Sequence, residues 1–146
     1  MDIYAQNILD RYKKPYYKKN EMGRGAKSCV TNGVSSFFLS HKEANHSCGD
    51  VVEIGIEFED GRVKEYQFSG NGCAISMASA DMLGDVIEEM TEGDILNLTK
   101  DELYQVLGIE ISVRRSKCAL LPLLAIQNGI LQHQKKTLKS WKDYHI

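Results

Sequence analysis

Cysteines stand at positions 29, 48, 73 and 118 of this chain, and a thiolate is both a soft metal donor and a strong nucleophile. Cys48 precedes an alternating apolar segment, Cys73 separates a hairpin pattern from a helical one, and Cys118 opens the last helical pattern. At the first turns of helices, Cys73 and Cys118 are expected to feel the positive end of the peptide dipoles, which favours thiolate over thiol. In Cys48-Gly49-Asp50 the first and third side chains share a face if the chain is extended, so a sulfur and a carboxylate converge across a flexible glycine. Such a pair can hold two corners of a metal site. The intervals between these three cysteines, 25 and 45 residues, hold no Cys-x-x-Cys pair of the zinc-ribbon kind. Spacing alone therefore leaves a three-cysteine metal site and three separate core thiols both open. Cys29, in a stretch with two nearby glycines, has no companion signal.

The elements that must position these groups are legible in part. Tyr4, Ile8 and Tyr12 recur at helical spacing with Leu9 beside them, a short amphipathic helix that ends before Pro15. Arg11, Lys13, Lys14, Lys18 and Lys19 follow as a basic cluster, a solvated surface or a docking patch for an acidic partner. Glu21 to Thr31 reads as loop and Val34 to Leu39 as a strand. Val52, Ile54, Ile56 and Phe58 alternate with Glu53, Gly55, Glu57 and Glu59, the period of a sheet with one wet face. Asp60-Gly61 signals a tight turn into a return strand, Val63 to Phe68, whose alternation slips between Val63 and Tyr66 and so predicts a bulge. After Gly70-Asn71-Gly72 the period becomes helical. Ile75, Ala78, Met82, Leu83, Val86, Ile87 and Met90 share one face, and Asp81, Asp85, Glu88 and Glu92 form an acidic row read as solvated. Thr99 and Glu102 pattern a capped helix that Gly108 closes. A last helix is predicted from about Cys118 to Lys136 with Pro122 near its start, and residues 136–146 are expected to be a helix extension or a tail.

Composition narrows the class. The 146 residues are 42% hydrophobic and 26% charged, enough to bury the core of one domain. A formal net charge of −2 offers no cationic field for nucleic acid. The longest uncharged apolar run, Cys118 to Ile126, falls well short of the ~20 residues a membrane helix needs. The start, Met-Asp-Ile-Tyr-Ala-Gln, has no signal-peptide pattern, so the expected compartment is the cytoplasm and the cysteines are expected to be reduced thiols.

Asn45-His46-Ser47-Cys48-Gly49-Asp50, Gly70-Asn71-Gly72-Cys73-Ala74-Ile75-Ser76-Met77-Ala78-Ser79-Ala80 and Lys117-Cys118-Ala119 resemble, in order, spacing and flanks, the three cysteine motifs of the IscU/SufU/NifU N-terminal family of iron-sulfur cluster assembly proteins. Asp10-Arg11-Tyr12-Lys13-Lys14-Pro15 is similar to the end of that family's N-terminal helix, so the resemblance spans about residues 3 to 135. It implies a single domain of α+β fold, with a three-stranded antiparallel sheet, helices packed on one side and the three cysteines gathered at one exposed end. It implies that Cys48, Asp50, Cys73 and Cys118 are the ligands of a transient [2Fe-2S] cluster, or of Zn2+ in the same site. It also implies that one of the cysteines accepts sulfur from a cysteine desulfurase; Cys48 is the expected acceptor. Downstream apo iron-sulfur proteins or cluster carriers are the implied recipients, and monomer and dimer both remain open.

The departures from the family pattern divide its branches. IscU-type scaffolds carry a histidine directly before the third cysteine, whereas here Lys117 stands there, and a protonated lysine has no lone pair for a metal. The chaperone-binding Leu-Pro-Pro-Val-Lys segment of IscU is replaced by Ser112-Val113-Arg114-Arg115-Ser116. Lys117 and Arg115 resemble the SufU branch, in which zinc held by three Cys and one Asp supports sulfur relay; Arg115 is then expected to stabilise a freed thiolate or Asp50. The insertion that SufU proteins carry between the second and third cysteines is missing. A cluster scaffold is therefore the favoured expectation and a zinc-dependent sulfurtransferase the alternative. His46 occupies a place where proline is frequent, and on an extended strand it would share the face of Cys48 and Asp50. The segment Glu21 to Ala44 is longer than the family pattern requires.

Overall fold

The computed structural model describes residues 3–20, 29–31 and 33–146. Helix α1 (Ile3–Lys13) is followed by β1 (Cys29–Thr31), β2 (Val34–Asn45), β3 (Asp50–Glu59) and β4 (Arg62–Asn71). Then come α2 (Ala74–Ile87), α3 (Glu92–Leu96), α4 (Lys100–Leu107), a 3-10 turn (Val113–Arg115), α5 (Ser116–His133) and a second 3-10 turn (Trp141–Tyr144). The strands form one antiparallel sheet in the order β1-β2-β3-β4. The expected three long strands are present, and the three-residue β1 adds a short edge strand where the glycine-rich loop was expected to continue. The rest of that loop, residues 21–28, lies outside the described residues.

Strand β2 runs six residues past Leu39, because it pairs with β3 from Ser36↔Glu59 to Asn45↔Asp50. Asp60 (φ 54°) and Gly61 (φ 81°) make the tight β3–β4 turn with two left-handed residues. The expected bulge falls on Lys64: Phe58 pairs with Val63 and Glu57 with Glu65, leaving Lys64 as the extra residue. On the dry face Val52, Ile54, Ile56 and Phe58 are fully buried. Helix α5 lies directly against that face, since a Cβ on Gly129 would come within 3.0 Å of His41 Cβ and 3.3 Å of Ile54 Cδ1.

Beyond Leu39 the inner face of β2 is polar, and each inner residue there meets α5. His41 Nδ1 lies 2.8 Å from Gln132 Oε1, Asn128 Nδ2 donates to Glu43 Oε1 at 2.9 Å, and Asn45 Nδ2 lies 3.9 Å from Cys118 Sγ. This ladder fixes how far α5 slides along the sheet, and its last rung is a cysteine. Lys135 (φ 59°) ends the helical path, so the chain after α5 is not a helix extension. It folds back instead. Asn128 bonds both the N–H of Lys139 (2.7 Å) and its carbonyl (3.1 Å), Lys139 Nζ donates to Gln127 Oε1 at 3.0 Å, and Tyr144 is buried with its hydroxyl on that same oxygen.

One expectation is overturned. Asp81 is not part of a solvated acidic row but is fully buried, accepting from the backbone N–H of Tyr16 (2.9 Å) and Tyr17 (2.8 Å) and from Arg11 Nε. Arg11 also reaches Asp85 at 2.7 Å, so the most N-terminal member of the basic cluster serves the fold. The reason is non-local: Gly84 leaves room for the Tyr17 ring, which sits where a Cβ would be, and the N-terminal segment then covers Asp81. Asp81→Ala, which strands a half-hidden guanidinium and two N–H groups, is expected to lower the unfolding free energy by about 3–5 kcal/mol. Asp85→Ala, at the exposed arm of the same pair, is expected to cost under about 1 kcal/mol. Urea denaturation of the two variants checks both values, and equal losses would show that burial of Asp81 is not what latches α1 to α2.

Candidate metal centre

Three chain segments meet at one end of the sheet. The β2–β3 turn carries Cys48 and leads into Asp50 at the start of β3, the β4–α2 junction carries Cys73, and the first turn of α5 carries Cys118. Asn45 closes the first segment: its carbonyl accepts from the N–H of Cys48 (3.2 Å) and Gly49 (2.8 Å), and its side-chain oxygen accepts from the N–H of Ser47 (3.3 Å). Gly49 is left-handed at φ 76°, a conformation that favours glycine. Residues 46–49 are therefore a tight turn rather than the extended strand assumed for Cys48-Gly49-Asp50. Cys48 stands exposed on the turn, while Asp50, the first residue of β3, is buried at 3% exposure.

The second segment needs its glycines. A Cβ on Gly70 would lie 2.1 Å from the Val51 carbonyl oxygen, and one on Gly72 would lie 3.0 Å from Asp50 Oδ1 and 2.5 Å from Ser76 Oγ. Their absence lets β4 press against the start of β3 and brings Cys73 to Asp50. Cys73 is the N-cap of α2, and its N–H donates to Asp50 Oδ1 at 3.2 Å. Ser76, fully buried, donates to the Cys73 carbonyl at 3.0 Å and fixes that cap. In the third segment Pro122 lies inside α5 and has no N–H for the Cys118 carbonyl, one turn before it.

Ligand atoms of Asp50, Cys73 and Cys118 all lie within 4.8 Å of one another. Cys118 is fully buried, Cys73 half-buried. The Cys118 thiol is pushed up, against the direction expected from its place at a helix start: burial is the largest cause, followed by the Asp50 carboxylate, the charge of Cys73 and the Cys48 side chain. Desolvation outweighs the helix dipole here. Asp50 Oδ2 is buried with no donor in hydrogen-bonding geometry. A buried carboxylate with one oxygen lacking a donor, grouped with two thiols, is what a divalent cation would satisfy, and the donor set of sulfur and carboxylate oxygen suits zinc or iron. The residues fit such a group.

The other expected residues are placed less centrally. His46 is exposed on the turn, so strand alternation does not carry it to the face of Asp50. Arg115 is exposed at the end of the 3-10 turn and, among the described residues, no hydrogen bond or ion pair ties its guanidinium to Asp50 or to a thiol. Its neighbour Arg114 instead lines a groove with Cys48. Cys29 lies in β1. Asn45 and Ser76 were missed as supporting residues although both stand inside the quoted motifs; reading β2 alternation beyond Leu39 would have placed Asn45 inward. No helix among the described residues is long and apolar enough to cross a membrane.

The fold and the cysteine, cysteine, aspartate group define an α+β protein with a candidate metal centre at one end of its sheet. The family model for the NifU-like N terminal domain matches residues 3–140, and the chain belongs to that family. It is 27% identical over 151 residues to the zinc-dependent sulfurtransferase SufU of Bacillus subtilis, covering 90% of this chain and 92% of that one. It is 45% identical over 100 residues to the iron-sulfur cluster assembly scaffold protein IscU of Thermotoga maritima, covering 68% and 61%. The crystal structure of a nitrogen-fixing NifU-like protein (N-terminal) from Brucella abortus shares the fold at TM-score 0.66 and 17% identity, over 92% of this chain and 96% of that one.

Asp50→Asn keeps an acceptor for the Cys73 N–H and withdraws the anionic oxygen. Its zinc affinity, measured by competition with a chromophoric chelator, is expected to fall at least about tenfold, while the metal-free variant melts no lower than the parent because the unmatched carboxylate is gone. Undiminished affinity would remove Asp50 from the ligand set.

Proposed function

We propose that this protein is an iron-sulfur cluster assembly scaffold that receives sulfur from a cysteine desulfurase, binds iron and holds a [2Fe-2S] cluster for transfer to apo iron-sulfur proteins or cluster carriers. The observation that supports this most is the pairing of a recessed group, buried Asp50 and Cys118 with half-buried Cys73, with an exposed Cys48 on a glycine turn. The recessed group suits a cargo-holding seat; the exposed sulfur suits a hand that reaches a partner.

In the first step the Cys48 thiolate attacks the outer sulfur of the desulfurase persulfide. A new S–S bond forms at Cys48 Sγ, the old one breaks, and the desulfurase cysteine leaves as thiolate with the electron pair. Cys48 is the accessible nucleophile of the three, whereas the raised, buried Cys118 thiol is held in its protonated form until a cation replaces the proton. Reduction of the delivered sulfur to sulfide takes two electrons from an external reductant. Asp50 binds iron more weakly than a thiolate would, which keeps the cargo transferable. Iron and sulfide are the substrates here, and Cys48, Cys73 and Cys118 with Asp50 are the residues that would hold them.

The second reading, a zinc-dependent sulfur relay of the SufU kind, is favoured by one feature of the chain: Lys117 replaces a nitrogen ligand, leaving three sulfurs and one carboxylate, a donor set that closes a tetrahedral zinc site. Anaerobic mixing of the protein with a cysteine desulfurase, cysteine and ferrous iron separates the readings. A scaffold develops visible absorption with protein-bound iron and sulfide, and Cys48→Ser does not. Retained zinc, no cluster, and desulfurase turnover raised only by protein with intact Cys48 would overturn the scaffold in favour of the relay.

A further inference from the structure

A groove of about 580 Å³ opens beside Cys48, and neither Asp50, Cys73 nor Cys118 lines it. Its volume is that of a small-molecule site. Lys100 from the start of α4, Arg114 from the 3-10 turn and Lys117 from the first turn of α5 all stand in its wall, and no Asp or Glu side chain does. Lys100 Nζ lies 6.0 Å from the Tyr104 ring centre and Lys117 Nζ 5.9 Å from that of Trp141. Among the described residues none of the three cations makes an ion pair. The hydroxyl of Tyr104, also in the wall, is buried without a hydrogen-bond partner. His145 and Ile146 wall another part of the groove, on the segment anchored by Tyr144.

Three positive groups from three separate elements stand in the groove wall of a chain whose net charge is −2; Ile146, which carries the terminal carboxylate, also lines the groove but forms no ion pair with any of the three. Lysine and arginine are donors only, so such a wall selects an anion with acceptor oxygens. Cys48 is the one thiol in the wall of the groove, so the anion argued for is one that exchanges sulfur.

We propose that this groove is a binding site for a low-molecular-weight thiol bearing carboxylate groups, which removes the outer sulfur from a Cys48 persulfide. The proposal rests on the reading of Cys48 as sulfur acceptor. Lys100, Arg114 and Lys117 bind the carboxylates. The small thiolate attacks the outer sulfur of Cys48–Sγ–S–H; the new S–S bond forms as the Sγ–S bond breaks, the proton stays on the transferred sulfur, and Cys48 leaves as thiolate. No net oxidation or reduction is needed.

The test uses zinc-loaded full-length protein and three small disulfides: that of mercaptopropionate (anionic), cystamine (cationic) and hydroxyethyl disulfide (neutral). Modification of Cys48 is timed by mass spectrometry, and each rate is divided by that of the peptide Asn-His-Ser-Cys-Gly. The anionic probe is expected to lead the other two at least tenfold. The lead is expected to shrink as salt rises from about 0.05 to about 0.5 M, and to fall at least threefold in Lys100→Gln and in Arg114→Gln with the neutral probe unchanged. Equal normalised rates, or variants that slow all three probes alike, would overturn the site. With Cys48 persulfidated by the desulfurase, mercaptosuccinate is then expected to discharge labelled sulfur faster than mercaptoethanol at equal thiolate concentration; equal discharge would overturn the transfer. The disulfide probes need no persulfide, so a desulfurase that never labels Cys48 contradicts the sulfur-acceptor reading and the transfer built on it, while charge selectivity in the groove is judged separately.

Discussion

A carboxylate buried with half its hydrogen-bonding capacity unmet is the constraint around which this end of the molecule is organised. Asp50 is 3% exposed; one oxygen takes the Cys73 N–H and the other takes no donor. An ionised group removed from water costs several kcal/mol unless it is paired. A fold that only needed stability would place an apolar side chain there. Its retention beside two thiols makes sense if a cation is the missing partner, and the surrounding residues serve that end: Gly70 and Gly72 admit the close approach, Ser76 holds the cap that supplies the N–H, and Asn45 turns the chain that starts β3.

The remainder of the fold sets the distances. The Asp81 latch to Arg11, Tyr16 and Tyr17 seats the N-terminal segment on α2, whose N-cap is Cys73. The polar ladder from His41 through Glu43 to Asn45 registers α5 against β2, so that Cys118 arrives at Asp50 and not a turn away. Gln127 and Asn128, buried in the middle of α5, draw the C-terminal segment back over the helices and place its last residues in the wall of the Cys48 groove. Buried polar groups with complete partners specify one arrangement more narrowly than apolar packing does. The apolar core is built from larger, more forgiving contacts.

What the sequence made legible follows from how local each signal is. The alternation of β3, the Asp60-Gly61 turn, the bulge at Lys64 and the Thr99 and Gly108 caps depend on neighbouring residues, and each falls where the pattern puts it. The cysteines were found because they sit at element boundaries, which are local too. Strand β2 was read only to Leu39, since its later inward residues are His41, Glu43 and Asn45, and hydrophobic alternation cannot see a polar face that is satisfied by a helix some 90 positions on. Asp81 has the same cause: an acid on a helix reads as wet unless its partner, Arg11, is known to be opposite. The lysine-rich C-terminal segment hid its anchors for that reason as well. Likewise the protonation of Cys118 is set by burial and by Asp50, and the cationic neighbours of Cys48 come from three elements that only the tertiary fold assembles.

The central claim is that the exposed Cys48 joins Asp50, Cys73 and Cys118 as one four-ligand centre. X-ray absorption at the zinc edge, on the zinc-loaded protein and its Cys48→Ser variant, addresses it most directly. Three sulfurs at about 2.3 Å with one light-atom ligand in the parent, falling to two sulfurs in the variant, is the expected result. Identical spectra from the two proteins would place Cys48 outside the centre and contradict the account.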